Sequence, residues 1–357
     1  MDKQRRPIFQ PNELSDSTVV SMRTRIITAI VGIALVLPIA LFGDWAFLVL
    51  VSVALVLGVI ELIRCAKRKY SKVLYITGFM LALLVLAWPI IRNLPLDSGW
   101  RLFDSYSTIY ISITIVFIGL CLAAFTVMID KGFTVIDACF IFTIVLLIAL
   151  GFQSCLFLRY FPSYLYHEEI KTLIEPGTVG PATQPARINL FDNLESSLLF
   201  MWVAVGACLN DAFAYFVGVF FGRNKMNERI SPKKTWEGFF GGVILTSIVL
   251  SGWALLQDLL SGGAHPILKD YLDIKHFYHV IILSTLIPLV SVLGDLVFSS
   301  IKRFYGIKDF SNIMPGHGGI LDRVDSILFA MITTAIYISI FYSIDLANQG
   351  REVFLLP

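Results

Sequence analysis

The stretch Gly294–Asp325, GDLVFSSIKRFYGIKDFSNIMPGHGGILDRVD, decides how the rest of this chain is read. It leaves one long apolar segment and enters another. Between them it carries Asp295, Lys302, Arg303, Lys308, Asp322, Arg323 and Asp325, with the turn Pro315-Gly316-His317-Gly318-Gly319. Asp295, Ser299, Lys302 and Arg303 fall at offsets of zero, four, seven and eight, so one face of a continuing helix presents an acid, a hydroxyl and two cations. Asp322 and Asp325, three apart, share a face of the helix that follows. So much charge beside lipid-length apolar runs needs a chemical reason.

Composition sets the frame. The chain has 357 residues, is 57% hydrophobic and 15% charged, and has a mean hydropathy of +0.77. Soluble domains carry about 25% charged residues, so the expected class is an all-α polytopic integral membrane protein. The net charge of +2 decides little, because the charges are unevenly placed. Cys65, Cys121, Cys139, Cys155 and Cys208 are odd in number and form no C-x-x-C pair, which argues against a disulfide framework or a zinc site.

About 20 apolar residues span a bilayer, and on that measure spans fall near 26–43, 45–63, 73–91, 108–128, 134–157, 196–218, 236–256, 278–298 and 326–345. About nine transmembrane helices are therefore expected. The basic clusters Arg23/Arg25, Arg64–Lys72, Arg223–Lys234 and Lys302–Arg323 then all fall on one side, which the positive-inside rule makes cytoplasmic, together with the amino terminus. The organisation reads as a mobile tail over 1–22, amino-terminal transmembrane helices over 23–158, and a long, irregular external loop over 159–195. A catalytic transmembrane region over 196–346 and a carboxyl-terminal tail over 347–357 complete it.

Two further stretches carry chemistry. In LNDAFAYFVGVFFG, Asp211 and Tyr215 lie four apart, beside Asn210. A carboxylate inside an apolar span is costly and normally faces a cavity with a partner, so this is either a polar contact between helices or a ligand contact. The loop ending Ser231-Pro232-Lys233-Lys234-Thr235-Trp236-Glu237-Gly238 concentrates cations where a new helix begins. Ser231 as cap with Pro232 at the first helical position would make that helix start an anion site. The glycine turn at 316–319 would be a second concavity of backbone amides for an anion. Glu61, beside Arg64 near the end of the second span, either joins the same polar cavity or pairs with that arginine.

Three acids from two neighbouring helix ends, ringed by Lys and Arg, make sense if the acids hold Mg²⁺ and the cations hold phosphates. Magnesium takes oxygen ligands, commonly one or two carboxylates plus substrate phosphates. The bland alternative is a salt-bridged loop. No G-x-x-x-x-G-K-[ST] loop and no G-x-G-x-x-G fingerprint is present.

The residues Ser299-Ser300-Ile301-Lys302-Arg303, Lys308-Asp309 and His317-Gly318-Gly319-Ile320-Leu321-Asp322-Arg323-Val324-Asp325 closely resemble the signature of CDP-diacylglycerol synthases, the phosphatidate cytidylyltransferases. Asn210-Asp211 with Tyr215, and Ser231 to Gly238, look like the same family's upstream motifs in the expected order. The resemblance covers roughly 200–330. It implies condensation of CTP with phosphatidic acid to CDP-diacylglycerol and pyrophosphate, with Mg²⁺ held by Asp295, Asp322 and Asp325. The expected phosphate contacts are Lys302, Arg303 and Arg323. Asn210, Asp211, Ser231, Lys233 and Lys234, with His317, Gly318 and Gly319, are expected to bind substrate. The partners so implied are CTP, phosphatidic acid and the lipid bilayer, with a homodimer left open and no nucleic acid. A bacterial cell membrane is the preferred location and the endoplasmic reticulum the alternative. Two rivals stand beside this reading: a CTP-dependent enzyme acting on an isoprenoid lipid, and an ion-coupled transporter using Asp211. The transporter would need inverted repeats that the chain does not display.

Overall fold

A computed structural model describes residues 16–65, 72–92, 117–121, 124–129, 134–173, 190–261, 277–316 and 318–348. Helices α1 (Asp16–Phe42) and α2 (Asp44–Cys65) form a hairpin about Gly43, followed by α3 (Lys72–Arg92), α4 (Val135–Leu173) and α5 (Leu190–Phe221). A short antiparallel pair, β1 (Lys225–Asn227) and β2 (Ser231–Thr235), separates α5 from α6 (Trp236–Ser261). Helices α7 (Tyr278–Phe304) and α8 (Leu321–Asn348) complete the order.

Six of these helical segments are long and apolar enough to cross a membrane: Trp45–Cys65, Val135–Arg159, Ser197–Phe221, Trp236–Leu260, Tyr278–Phe304 and Leu321–Phe341. Ile30–Leu41, Lys72–Ala87 and Phe117–Ile129 are shorter apolar segments. The helical membrane class expected from composition is what the chain adopts. The fourth expected span, 108–128, is described only from residue 117.

Several boundaries differ from the sequence reading. Helix α1 begins at Asp16, inside the segment expected to be a tail, and the remainder of that tail, residues 1–15, lies outside the described residues. The segment 159–195 is not irregular throughout: α4 runs on to Leu173 and α5 starts at Leu190, with 174–189 outside the described residues. Helix α8 starts at Leu321 rather than 326 and reaches Asn348, and the rest of the expected carboxyl-terminal tail, 349–357, is likewise outside.

Helix α4 is the centre of the bundle, packing on α2, α3, α5 and α8. Its Ile148, Ala149, Phe152 and Leu156 are buried with Leu55 and Val59 of α2 and Leu328 and Met331 of α8. Arg159 of α4 is fully buried, donating from Nε to the Ala40 carbonyl at 2.9 Å and from Nη2 to the Leu41 carbonyl at 3.1 Å. It thereby satisfies orphan carbonyls at the end of α1 with a cation, the sign that suits a helix carboxyl terminus.

The site-bearing half is built from α5 to α8. Gly218 and Ala214 of α5 face Gly238 and Gly242 of α6 across small-residue seams of spacing four. A Cβ built on Gly238 would lie 2.6 Å from the Ala214 carbonyl oxygen, so the two backbones approach as closely as in G-x-x-x-G packing. Pro288 interrupts α7, and a proline cannot donate to the carbonyl four residues back. That carbonyl, of Ser284, faces the Ser247 hydroxyl of α6 at 3.1 Å and shares its one proton with the Val243 carbonyl, at 2.7 Å. The Pro288 carbonyl accepts Asn210 Nδ2 of α5 at 3.3 Å. Two neighbouring helices thus stitch the break.

Candidate active site

Helix α7 ends in a Schellman turn that fixes its two terminal cations. Gly306, at φ +63°, gives its amide to the Arg303 carbonyl, and Ile307 gives its amide to the Lys302 carbonyl at 2.9 Å. From this turn Lys302, nearly buried, donates from Nζ to Asp322 Oδ1 at 2.9 Å. Asp322 Oδ2 accepts the amides of Phe310 at 2.8 Å and Gly319 at 2.9 Å. Asp322 therefore takes three protein donors, one on Oδ1 and two on Oδ2. Gly318 has φ +83°, and a Cβ there would also lie 2.8 Å from Asp322 Oδ2, so the turn admits glycine on two counts.

Within the glycine turn, the Gly318 and Gly319 amides are not open for an anion, as the sequence suggested. Gly318 donates to the Met314 carbonyl, Gly319 to Asp322, and Ile320 and Leu321 to Glu61. Glu61 is not paired with Arg64; it reaches across from α2 to the start of α8 and also accepts the Ser311 hydroxyl at 2.6 Å. His317 lies outside the described residues.

Three other carboxylates gather from three helices. Asp295 of α7 accepts the Ser299 hydroxyl at 3.0 Å and pairs with Lys234 at 2.5 Å. Asp211 of α5 accepts the Ser326 hydroxyl of α8 at 3.2 Å. Asp325 of α8 is buried and accepts the adjacent Ser326 amide at 2.8 Å. Asp325 lies within range of the charges of Asp295, Lys302 and Asp211, and Asp211 within range of those of Asp295 and Lys234. Asn210, fully buried, spends its amide nitrogen on Pro288, while its Oδ1 has no partner among the described residues.

The cationic loop is a β-hairpin, not a helix start. Ser231 and Pro232 lie in β2, whose register pairs Lys225 with Thr235 and Asn227 with Ser231. The cap of α6 is Thr235, whose Oγ1 accepts the Gly238 amide at 3.2 Å. The expectation of a Ser231-capped anion site gives way here: Asn227 turns the chain through its own side chain, accepting the Arg229 and Ile230 amides, so strand pairing precedes the helix. Glu237 braces the hairpin base by accepting the Arg223 and Asn224 amides and Asn224 Nδ2. Arg303 ties the tip back to α7 by donating from Nε to the Ile230 carbonyl at 3.3 Å. Lys233 and Arg323 are exposed, as are Arg223, Lys225 and Arg229.

The structure thus brings together Asp211, Asp295, Asp325, Lys234 and Lys302, and sets Asp322 apart as the acid that holds Lys302 and the loop. Among the described residues no three His, Cys, Asp or Glu side chains stand close enough to hold a metal ion together. The donor set, all hard oxygen with lysines beside it, fits a cation that takes one or two carboxylates and completes its shell from substrate phosphate. Ser311 and Ser326 enter the site without having been picked out in the sequence, and Thr235 was read there only as part of its motif. A buried acid near a span end was the one signal available for Glu61.

Residues 23–341 match the cytidylyltransferase family. A phosphatidate cytidylyltransferase of Bacillus subtilis is 29% identical over 88% of this chain and 96% of its own length. One from Staphylococcus epidermidis is 30% identical over 87% and 96%, and one from Synechocystis is 30% identical over 85% and 92%. The match runs through the amino-terminal helices as well as the charged stretches, and on this ground the chain belongs to the cytidylyltransferase family.

Proposed function

We propose that this protein condenses CTP with phosphatidic acid, giving CDP-diacylglycerol and pyrophosphate at the cytoplasmic face of a bacterial cell membrane. The observation that carries the reading is the Lys234–Asp295 pair, which joins the cationic hairpin to the acid cluster and so makes one site from two motifs. Relatives of nearly full-length overlap are named for this activity. The exposed cations of the hairpin support the cytoplasmic placement. A nine-span topology with the amino terminus inside is part of the same proposal.

A phosphate oxygen of phosphatidic acid attacks the α-phosphorus of CTP, the bond to the bridging oxygen breaks, and pyrophosphate leaves with that bond's electron pair. The second pKa of a phosphate monoester is about 6, so the nucleophile is largely ionised and no strong base is needed. Lys302, held by Asp322, and Lys234, held by Asp295, are placed to offset phosphate charge; Arg303, Arg323 and Lys233 extend that field outward. Asp295 and Asp325, with Asp211 beside them, are the residues that would hold Mg²⁺, Asp322 doing so only by releasing Lys302. The bound ion would neutralise charge on the phosphates. Asn210 and Ser231 flank the nucleotide side, and the lipid headgroup enters sideways where exposed Asp211 and Tyr215 line α5.

The test is an assay of purified protein with radiolabelled CTP, phosphatidic acid and Mg²⁺. Labelled CDP-diacylglycerol, with competing isoprenoid phosphates or alcohols giving no labelled lipid, is the expected result. A labelled isoprenoid product instead would overturn the substrate assignment.

A further inference from the structure

Glu61 is 1% exposed, on α2, far in sequence from the motifs of the site. Its Oε1 accepts the Ser311 hydroxyl at 2.6 Å and the Ile320 amide at 2.9 Å, and its Oε2 accepts the Leu321 amide at 2.9 Å. A Cβ built on Gly319 would lie 2.5 Å from Oε1 and 2.6 Å from Oε2, so a residue without a side chain is what lets the carboxylate in. The first amides of a helix are orphan donors at the positive end of its dipole, and a carboxylate suits them. A serine or aspartate in the local sequence would satisfy those donors without burying an acid carried from another helix. Burying a carboxylate costs several kcal/mol before its bonds are counted. What the distant acid adds is a fixed position of the start of α8 relative to α2.

That position matters because the same short loop is held on its other side by Asp322, which takes Phe310, Gly319 and Lys302. Adjacent amides, Gly319 and Ile320, go to the two different carboxylates. Moving the loop away from Glu61 therefore moves Asp322, the lysine it holds, and Asp325 one turn further on.

We propose that Glu61 is a positioning residue for the transfer reaction, clamping the 311–321 loop and the start of α8 so that Lys302 and Asp325 meet the phosphates in register. This rests on the reading of function above. Glu61→Gln keeps the size but turns one acceptor into a donor facing an amide. Displacing a reacting group by an ångström costs on the order of 100-fold. The expected result is thus a fall in kcat of at least about tenfold, with KM for CTP and phosphatidic acid within about threefold. Hydrogen exchange at the amides of Ile320 and Leu321 should quicken. Gly319→Ala should cost about as much as Glu61→Gln in the wild-type background and much less in Glu61→Ala, where the methyl group occupies the space of the lost carboxylate.

A folded Glu61→Gln enzyme with kcat within twofold of wild type overturns the proposal, as does a Gly319→Ala penalty equal in both backgrounds. Should the Glu61 variants not fold, Ser311→Ala, which removes one of the three donors, should still lower kcat and quicken exchange at 320–321; unchanged kcat there sinks the idea. A wild-type protein that forms no CDP-lipid overturns the function itself, and the exchange data then separate that failure from absence of the clamp.

Discussion

Lys302 and Asp322 form a buried ion pair, Nζ to Oδ1 at 2.9 Å, that joins the last turn of α7 to the first turn of α8. The pair lies where two spans meet the charged loop, and its acid is shared with the Phe310 and Gly319 amides. Breaking one partner of such a pair strands the other without solvent, at about 3–5 kcal/mol. Asp322→Asn is therefore expected to lower the apparent thermal midpoint in detergent as well as activity. The double variant Lys302→Met/Asp322→Asn should lose less stability than the two single losses added together, by thermal aggregation of purified protein. An additive result would show that the pair contributes nothing.

Asp325 makes the contrast. It pairs with no cation in the described set and accepts an amide from its own helix, beside Asp295 and Asp211. Asp325→Asn should keep the thermal midpoint within a degree or two of wild type, while turnover drops by about 100-fold or more, the scale of losing a charge aimed at the reacting centre. Turnover near wild type at limiting Mg²⁺ would contradict the role given to Asp325.

The α5–α6 seam predicts a pure packing loss. A methyl group at Gly238 has the Ala214 carbonyl oxygen 2.6 Å away, backbone that has nowhere to yield. Overpacking of this kind costs about 1–3 kcal/mol. Gly238→Ala should show that loss in thermal stability, whereas Gly252→Ala, whose added Cβ would meet nothing within 4 Å, should not.

Ser247→Ala tests the stitched proline break. The Ser284 carbonyl, already without its helical donor, would lose its share of a hydroxyl proton that also points to the Val243 carbonyl. A buried acceptor left in that state costs about 1–3 kcal/mol. The measurement is again a thermal midpoint, with KM for CTP expected to hold; an unchanged midpoint would mean that something else satisfies the carbonyl.

The positions of the helices and the order of the charged stretches were legible because a bilayer enforces them. Runs near 45–63, 236–256 and 278–298 have one outcome in lipid, and Asp295, Lys302, Asp322 and Asp325 advertise themselves by charge and spacing. What stayed hidden was how donors and acceptors are shared. The amides of the 316–319 turn looked open to a phosphate, yet Gly319 donates to Asp322 and the next two amides to Glu61, partners chosen by tertiary packing. Glu61 is 259 residues from Ile320, a distance over which periodicity says nothing. Ser231-Pro232 likewise fits a helix start by local rules. Its true place in β2 depends on Asn227 closing the turn and Glu237 bracing the base.

The contact between Glu61 and Leu321 also has a meaning for how this protein comes into being. A chain synthesised from its amino terminus delivers α2 to the bilayer while the amides that its acid serves do not yet exist. The carboxylate's oxygens gain the Ile320 and Leu321 amides only when α8, the last helix in the order, packs against α2. The 318–321 turn is thus fixed only where α8 meets α2, and α8 also brings in Asp322 and Asp325, so a chain lacking it would hold Asp211, Asp295, Lys234 and Lys302 without either of those acids.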